Sequence, residues 1–211
     1  TDVTPPGTRK RHLKTVSQKR LWQQIVKTKI AAQARLLRDY CGDDGGLSRL
    51  VSEVRSGDST NVEARAARKY WHLLFADKQF RRDREMADEN SLLNYGYAVL
   101  RAIVARAICG SGLHPGLGIH HHNRYSGYPL ADDLMEPLRP AVDRAVVELL
   151  RERNGTPSLT PEAKRHLLQL LLHRYDVAGE QRTLFDAASR AASSLVDCFL
   201  GCSRQLLLPV V

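Results

Sequence analysis

The sequence lacks the signatures of several common chemistries. It contains no Gly-x-x-x-x-Gly-Lys-[Ser/Thr] loop, no Gly-x-Ser-x-Gly elbow and no Gly-x-Gly-x-x-Gly fingerprint. ATP hydrolysis, serine-type acyl transfer and dinucleotide binding therefore have no support. Cysteine is sparse: Cys41, Cys109, Cys198 and Cys202 form no Cys-x-x-Cys pair, which argues against structural zinc and against a disulfide framework. Cys109 and Cys198 lie in apolar helical patterns, and Cys198 and Cys202 stand one turn apart, so these read as core thiols. A reduced, cytoplasmic setting is expected. No apolar run reads as long enough to span a bilayer, and Leu206-Leu207-Leu208-Pro209 is far too short. The start, Thr1 to Pro6, resembles neither a signal nor a transit peptide and has no initiator Met, as expected of a fragment or a processed chain. No segment alternates with period two, and no internal repeat is evident.

What is present is positive charge and helical periodicity. The 211 residues carry 32 Lys+Arg against 23 Asp+Glu, a formal charge of +9. That excess favours a polyanionic partner. Residues 1–16 read as a flexible basic arm containing Arg9, Lys10, Arg11 and Lys14. From 17 to 211 the pattern is that of an all-α domain. Trp22, Ile25, Val26, Ile30, Gln33, Leu37 and Tyr40 recur at three- and four-residue steps. Gly42 to Gly46 end that helix, and Leu47 to Val54 mark a short one. Further helices are predicted over 61–75, 90–109, 130–153, 161–175 and 183–203. Pro137 and Pro140 should kink or divide the fifth of these seven, 130–153. Residues 117–129 read as an ordered loop.

Two regions concentrate chemistry. On the 61–75 helix, Glu63, Ala66, Ala67, Tyr70 and Leu74 share one face, which points a carboxylate inward or at a crevice. Arg65, Arg68, Lys69 and His72 form a basic stripe opposite, suited to phosphates. Thr60-Asn61-Val62-Glu63 also fits a capping box, with Glu63 bonding the Thr60 amide, and the local pattern alone favours that role. The second region joins His120-His121-His122-Asn123 to Asp132, Asp133 and Glu136. Asp132 and Glu136 share a face at i, i+4, and their repulsion calls for a bound cation or a nearby arginine. One histidine with two or three carboxylates suits Mg²⁺ or Mn²⁺. Asp132 and Asp133 would also serve merely to oppose a helix dipole.

Asn90-Ser91-Leu92-Leu93-Asn94-Tyr95-Gly96-Tyr97, Ser111 to Gly118 and Leu130-Ala131-Asp132-Asp133-Leu134-Met135-Glu136-Pro137-Leu138-Arg139-Pro140 closely resemble the CRISPR adaptation integrases, in wording most like their type II branch. Leu21 to Lys27 and Leu206 to Pro209 fit as well. The resemblance implies a divalent-metal-dependent DNA endonuclease and integrase that joins the 3′-hydroxyl of spacer DNA to a CRISPR repeat. It assigns catalysis and metal ligation to Glu63, His121 and Glu136, with Asp132 and Asp133 auxiliary. It favours the ligand role of Glu63 over the cap. Arg65, Arg68, Lys69, Arg81, Arg82 and Arg84 are the candidate phosphate contacts. The implied partners are double-stranded spacer and repeat DNA, a second copy of the chain and a small ferredoxin-like adaptation subunit. No membrane partner is implied. The small β-sheet domain with which members of this family usually begin is absent from this sequence. Three other readings compete: a non-catalytic basic DNA-binding domain, an RNA-processing metal nuclease and a partner-binding helical scaffold.

Overall fold

The computed structural model describes residues 15–77, 79–83, 85–86, 88–121, 127–152, 158–177 and 179–209. Residues 1–14 of the expected arm lie outside them, while Thr15 already opens the first helix. Eight α-helices are described: α1 Thr15–Cys41, α2 Leu47–Glu53, α3 Val62–Leu74, α4 Glu89–Gly110, α5 Pro129–Leu134, α6 Arg139–Glu152, α7 Pro161–Leu171 and α8 Leu184–Leu200. They surround one contiguous apolar core in which Trp22, Ile25, Ile30, Tyr70, Leu93, Leu100, Met135 and Leu195 are buried. The architecture is all-α, as the periodicity indicates.

Each boundary has a local cause. Gly42 takes a left-handed φ of 79° just beyond α1, a conformation a Cβ would resist. Thr160 and Thr183 cap α7 and α8 through their hydroxyls. Pro137 breaks the predicted 130–153 helix: α5 stops at Leu134, a 3₁₀ turn runs Glu136–Leu138, and α6 starts at Arg139. α1 packs on α2, α3, α6 and the 136–138 turn, while α4 packs on α5, α6, α7 and α8. α4 and α6 touch closely at Gly96, where an added Cβ would collide with Val142 Cγ1.

Three expectations need correction. α4 is, by length and composition, long enough to cross a membrane, although Arg101 and Arg106 interrupt its apolar pattern. Half of its apolar window is buried inside this domain, packed on other helices. The 161–175 helix ends at Leu171, and an antiparallel hairpin follows: β1 Arg174–Val177 and β2 Glu180–Thr183, with Arg174 opposite Thr183. β2 is polar and largely exposed, and β1 buries Tyr175 between Arg174 and Asp176, so the short hairpin carries little alternation to read. Only Cys198 of the four thiols is buried. Cys109 sits on the exposed last turn of α4, and Cys202 lies past the left-handed Gly201 that ends α8.

The last described segment is stitched back onto α1. Gln24 accepts from the Leu206 amide at 2.9 Å and donates to the Arg204 carbonyl at 3.0 Å.

Candidate functional site

α1 carries Trp22, Val26 and Lys29 at steps of four and three, on one face. Lys29 is the unexpected member, a nearly buried ammonium on a helix whose inner face is otherwise apolar apart from Gln33. Its Nζ lies 2.5 Å from Glu63 Oε1 on α3 and 2.5 Å from Glu136 Oε2 on the 3₁₀ turn. The two carboxylates therefore converge on one cationic point from separate elements. The Glu63 contact is a directed hydrogen bond. The Glu136 Oε2 contact is an equally short ion pair, less well aligned as a hydrogen bond. Its other oxygen, Oε1, accepts from Arg139 Nε at 2.8 Å. Arg139 is itself held over the Tyr97 ring.

The electrostatics follow from this packing. Burial alone would raise the pKa of Glu136, but Arg139 and Lys29 overcome it and hold the carboxyl at about 2. Burial alone would lower that of Lys29, yet Glu136 and Glu63 together raise it. Both groups are thus fixed in their charged forms.

Glu63 is free for this role because a different residue caps α3. The Val62 and Glu63 amides donate to the Asp58 carboxylate at 2.9 and 3.0 Å. The Thr60–Glu63 capping box is thereby corrected, since Asp58 already supplies the acceptor for the first turn. Asp58 and Asn61 both take left-handed φ, 48° and 52°, which Asp and Asn tolerate better than most residues. The buried stripe of α3 is Val62, Ala66, Tyr70 and Leu74, and Glu63 lies at its edge.

The histidine loop is organised by Asp133, which is fully buried. It accepts from the amides of Ile119 at 2.6 Å, His120 at 2.9 Å and His121 at 3.2 Å. His121 Nδ1 lies 2.5 Å from the same carboxylate, which leaves Nε2 as the other ring nitrogen. The bond to Asp133 is the main cause of a raised His121 pKa, with burial opposing and the charges of Glu136 and Glu63 adding. Trp22 forms the floor: His120 stacks on it with centroids 4.2 Å apart, and His121 meets it edge-on at 5.5 Å. Gly118 is required by the closeness of the loop, because a Cβ there would collide with the His121 carbonyl. Asp132 turns elsewhere, to Arg101 Nε at 2.7 Å. The expected shared face of Asp132 and Glu136 is thus broken, because the 3₁₀ turn rotates Glu136 away from the α5 register. Nearby cations, not a shared site, relieve the carboxylate repulsion. His122 and Asn123 lie outside the described residues.

Beneath the site, Asp143 on α6 accepts from Tyr70 at 2.7 Å and from Tyr97. Burial pushes its pKa from 3.8 up to about 6, against the opposing hydrogen bonds of Tyr97 and Tyr70. The folded protein keeps this proton between the two values, where the unfolded chain has lost it. The contribution is therefore present at low pH and lost as pH rises through 6, amounting to about 3 kcal/mol. Glu136 acts in the opposite sense and only below its ordinary 4.5. Urea midpoints should fall between pH 4.5 and 6, and Asp143→Asn should remove that slope.

Of the candidate phosphate contacts, Arg68, Lys69 and Arg81 are exposed. Arg65 is exposed and paired with Glu53 at 2.8 Å. Arg82 is turned inward, bonding Asn90 and Asn94 at 2.8 and 2.6 Å and lying over Tyr97. Arg84 lies outside the described residues.

Among the described residues, no three His, Cys, Asp or Glu side chains stand close enough to cage a metal as they are. The donor types nonetheless fit one. Two carboxylates already converge on a cation, one oxygen of Glu136 has only a less well aligned contact, and His121 is oriented through its second nitrogen as metal-ligating histidines are.

Comparison with known proteins adds a lineage to this geometry. The family model described as CRISPR associated protein Cas1 matches residues 8–171. The chain belongs to the Cas1 family. A CRISPR-associated endonuclease Cas1 of Neisseria meningitidis is 41% identical over 179 residues, which is 83% of this chain and 58% of that protein. A Cas1 endonuclease of Pyrobaculum aerophilum is 32% identical over 71% of this chain and 51% of its own length. The chain thus spans about half the length of these curated Cas1 relatives. In fold it resembles a casposase bound to an integration product, with TM-score 0.74 and 22% identity over 90% of this chain and 66% of the other. A Cas1 protein from Thermotoga maritima gives TM-score 0.72 and 19% identity, over 87% and 66%.

Proposed function

We propose that this chain is the catalytic part of a DNA integrase and endonuclease of CRISPR spacer acquisition, dependent on Mg²⁺ or Mn²⁺. One observation carries the reading: Glu63 and Glu136, from separate elements of a Cas1-family fold, converge on one cationic point. Glu63, Glu136 and His121 would hold the ion. When bound, it would polarise the target phosphodiester and steady charge on the entering and leaving oxygens.

The protein's own residues have definite tasks in this scheme. Asp133 fixes the His121 ring by its Nδ1 and pins the loop beside it. Arg139 keeps Glu136 charged and in place. Arg65, Arg68, Lys69 and Arg81 would position phosphates through contacts that weaken with salt. The nucleophile would be the 3′-hydroxyl of spacer DNA, and the acceptor a CRISPR repeat end. Assembly with a second copy and with a small ferredoxin-like subunit is part of the proposal. A fold neighbour is described as a Cas6-RT-Cas1–Cas2 complex, which supports it. A cytoplasmic location in a prokaryote follows from such a substrate.

The reverse reaction offers the simplest test. A branched DNA carrying a labelled flap should be resolved to a rejoined duplex with Mn²⁺ and remain intact with EDTA. Binding without resolution would favour the non-catalytic DNA-binding domain. Faster cutting of RNA without rejoining would favour an RNA-processing nuclease.

A further inference from the structure

We propose that Lys29 is a built-in stand-in for the divalent cation, exchanged for it on metal loading, so that its ammonium sets the affinity of the Glu63–Glu136 pair. This rests on the metal reading above. A Mg²⁺ ion ligated by Glu63 Oε1 and Glu136 Oε2 would sit about 2.0–2.1 Å from each. The Lys29 nitrogen already lies 2.5 Å from both. Two cations cannot share nearly one point between the same oxygens, so loading of either excludes the other.

The two cations on Glu136 differ in how firmly they are held. Arg139 makes an in-line bond from Nε at 2.8 Å and lies over Tyr97 with its guanidinium carbon 4.5 Å from the ring centroid. It is a planar group anchored on two sides. Lys29 meets Glu136 Oε2 in a short but less well aligned ion pair, at the end of a flexible four-carbon stem. Lys29 can therefore withdraw while Arg139 stays, leaving Glu136 charged and positioned. In the metal-free protein the ammonium keeps two adjacent carboxylates from repelling. It also holds them at the spacing at which a cation is received.

Mn²⁺ binding to the full chain, followed by the paramagnetic resonance signal of the free ion, tests this. Lys29→Met should bind Mn²⁺ about 10- to 100-fold tighter than wild type, the range over which neighbouring groups tune metal affinity. Its metal-free melting temperature should fall, and Mn²⁺ should raise that temperature more than in wild type. If Lys29→Met folds only with Mn²⁺ present, that rescue is the same exchange seen from the folding side. Lys29→Arg retains a cation and should bind Mn²⁺ no tighter than wild type. Wild-type affinity or weaker in Lys29→Met would overturn the exchange, provided Glu63→Gln and Glu136→Gln abolish binding in the wild-type background. Absence of Mn²⁺ binding in wild type and in Lys29→Met alike would overturn the metal reading and the exchange together.

Discussion

Replacing Glu136 with glutamine should leave a folded protein whose rate on branched DNA is lower by about a hundredfold or more, the scale of losing a charged metal ligand. Glutamine keeps the shape and an acceptor for Arg139 Nε, but removes the charge on which Lys29 and Arg139 converge. Alanine should do more harm. Glu136 is 5% exposed, and its removal leaves the enclosed Arg139 without its ion-pair partner and Lys29 with Glu63 alone, a loss of about 3–5 kcal/mol. Thermal melting separates the two variants, and the rate assay places them together. Glu63→Ala should match the loss of rate with a smaller loss of stability, because its side chain is 24% exposed and touches one cation. A Glu136→Gln protein that resolves branched DNA at the wild-type rate would rule out the catalytic assignment.

The second large effect is expected at Asp133, which touches no DNA in the proposed scheme. Its carboxylate satisfies three consecutive amides and one imidazole nitrogen, all on residues 119–121. Alanine leaves those donors without an acceptor in a site that is closed on the Asp133 side. At about 1–3 kcal/mol for each unmet buried group, less where water reaches His120 and His121, the loop should open. Asparagine should be nearly as damaging, because its amide turns a donor toward amides that need an acceptor. Hydrogen exchange at the 119–121 amides should accelerate in both variants while the α4 amides stay protected. Activity should fall along with the protection, through loss of His121 orientation.

The helices were legible in the sequence because burial imposes a period. The Trp22 to Tyr40 stripe and the Leu92 to Ile108 pattern mark helices whose inner faces are indeed core. Pro137 announced the break that places Glu136 on a separate turn. The polar bookkeeping was not legible, since it depends on contacts between distant elements. A lysine within a helix reads as a solvated surface group, and Lys29 stood apart only by sitting three residues past Val26 on the apolar face. Asp58 was hidden because Thr60 and Glu63 fit a capping motif that needs no third residue. Asp132, Asp133 and Glu136 read as one cluster, yet each faces a different partner: Arg101, the histidine loop and the Lys29–Arg139 pair. Sequence spacing places charges on a helix face but does not identify the cations that meet them.

Trp22 and Lys29 together make α1 a ruler for this site. Seven residues of helix set them about 10 Å apart along the axis and nearly aligned around it. Apart from the core residues and Gln23 and Gln24, which bond Val54, Arg204 and Leu206, side chains between them can change with little consequence. Inserting or deleting one residue cannot, because it would swing the aromatic floor about 100° away from the ammonium. Descent within this lineage should therefore have preserved the count of residues between Trp22 and Lys29 more strictly than their identities.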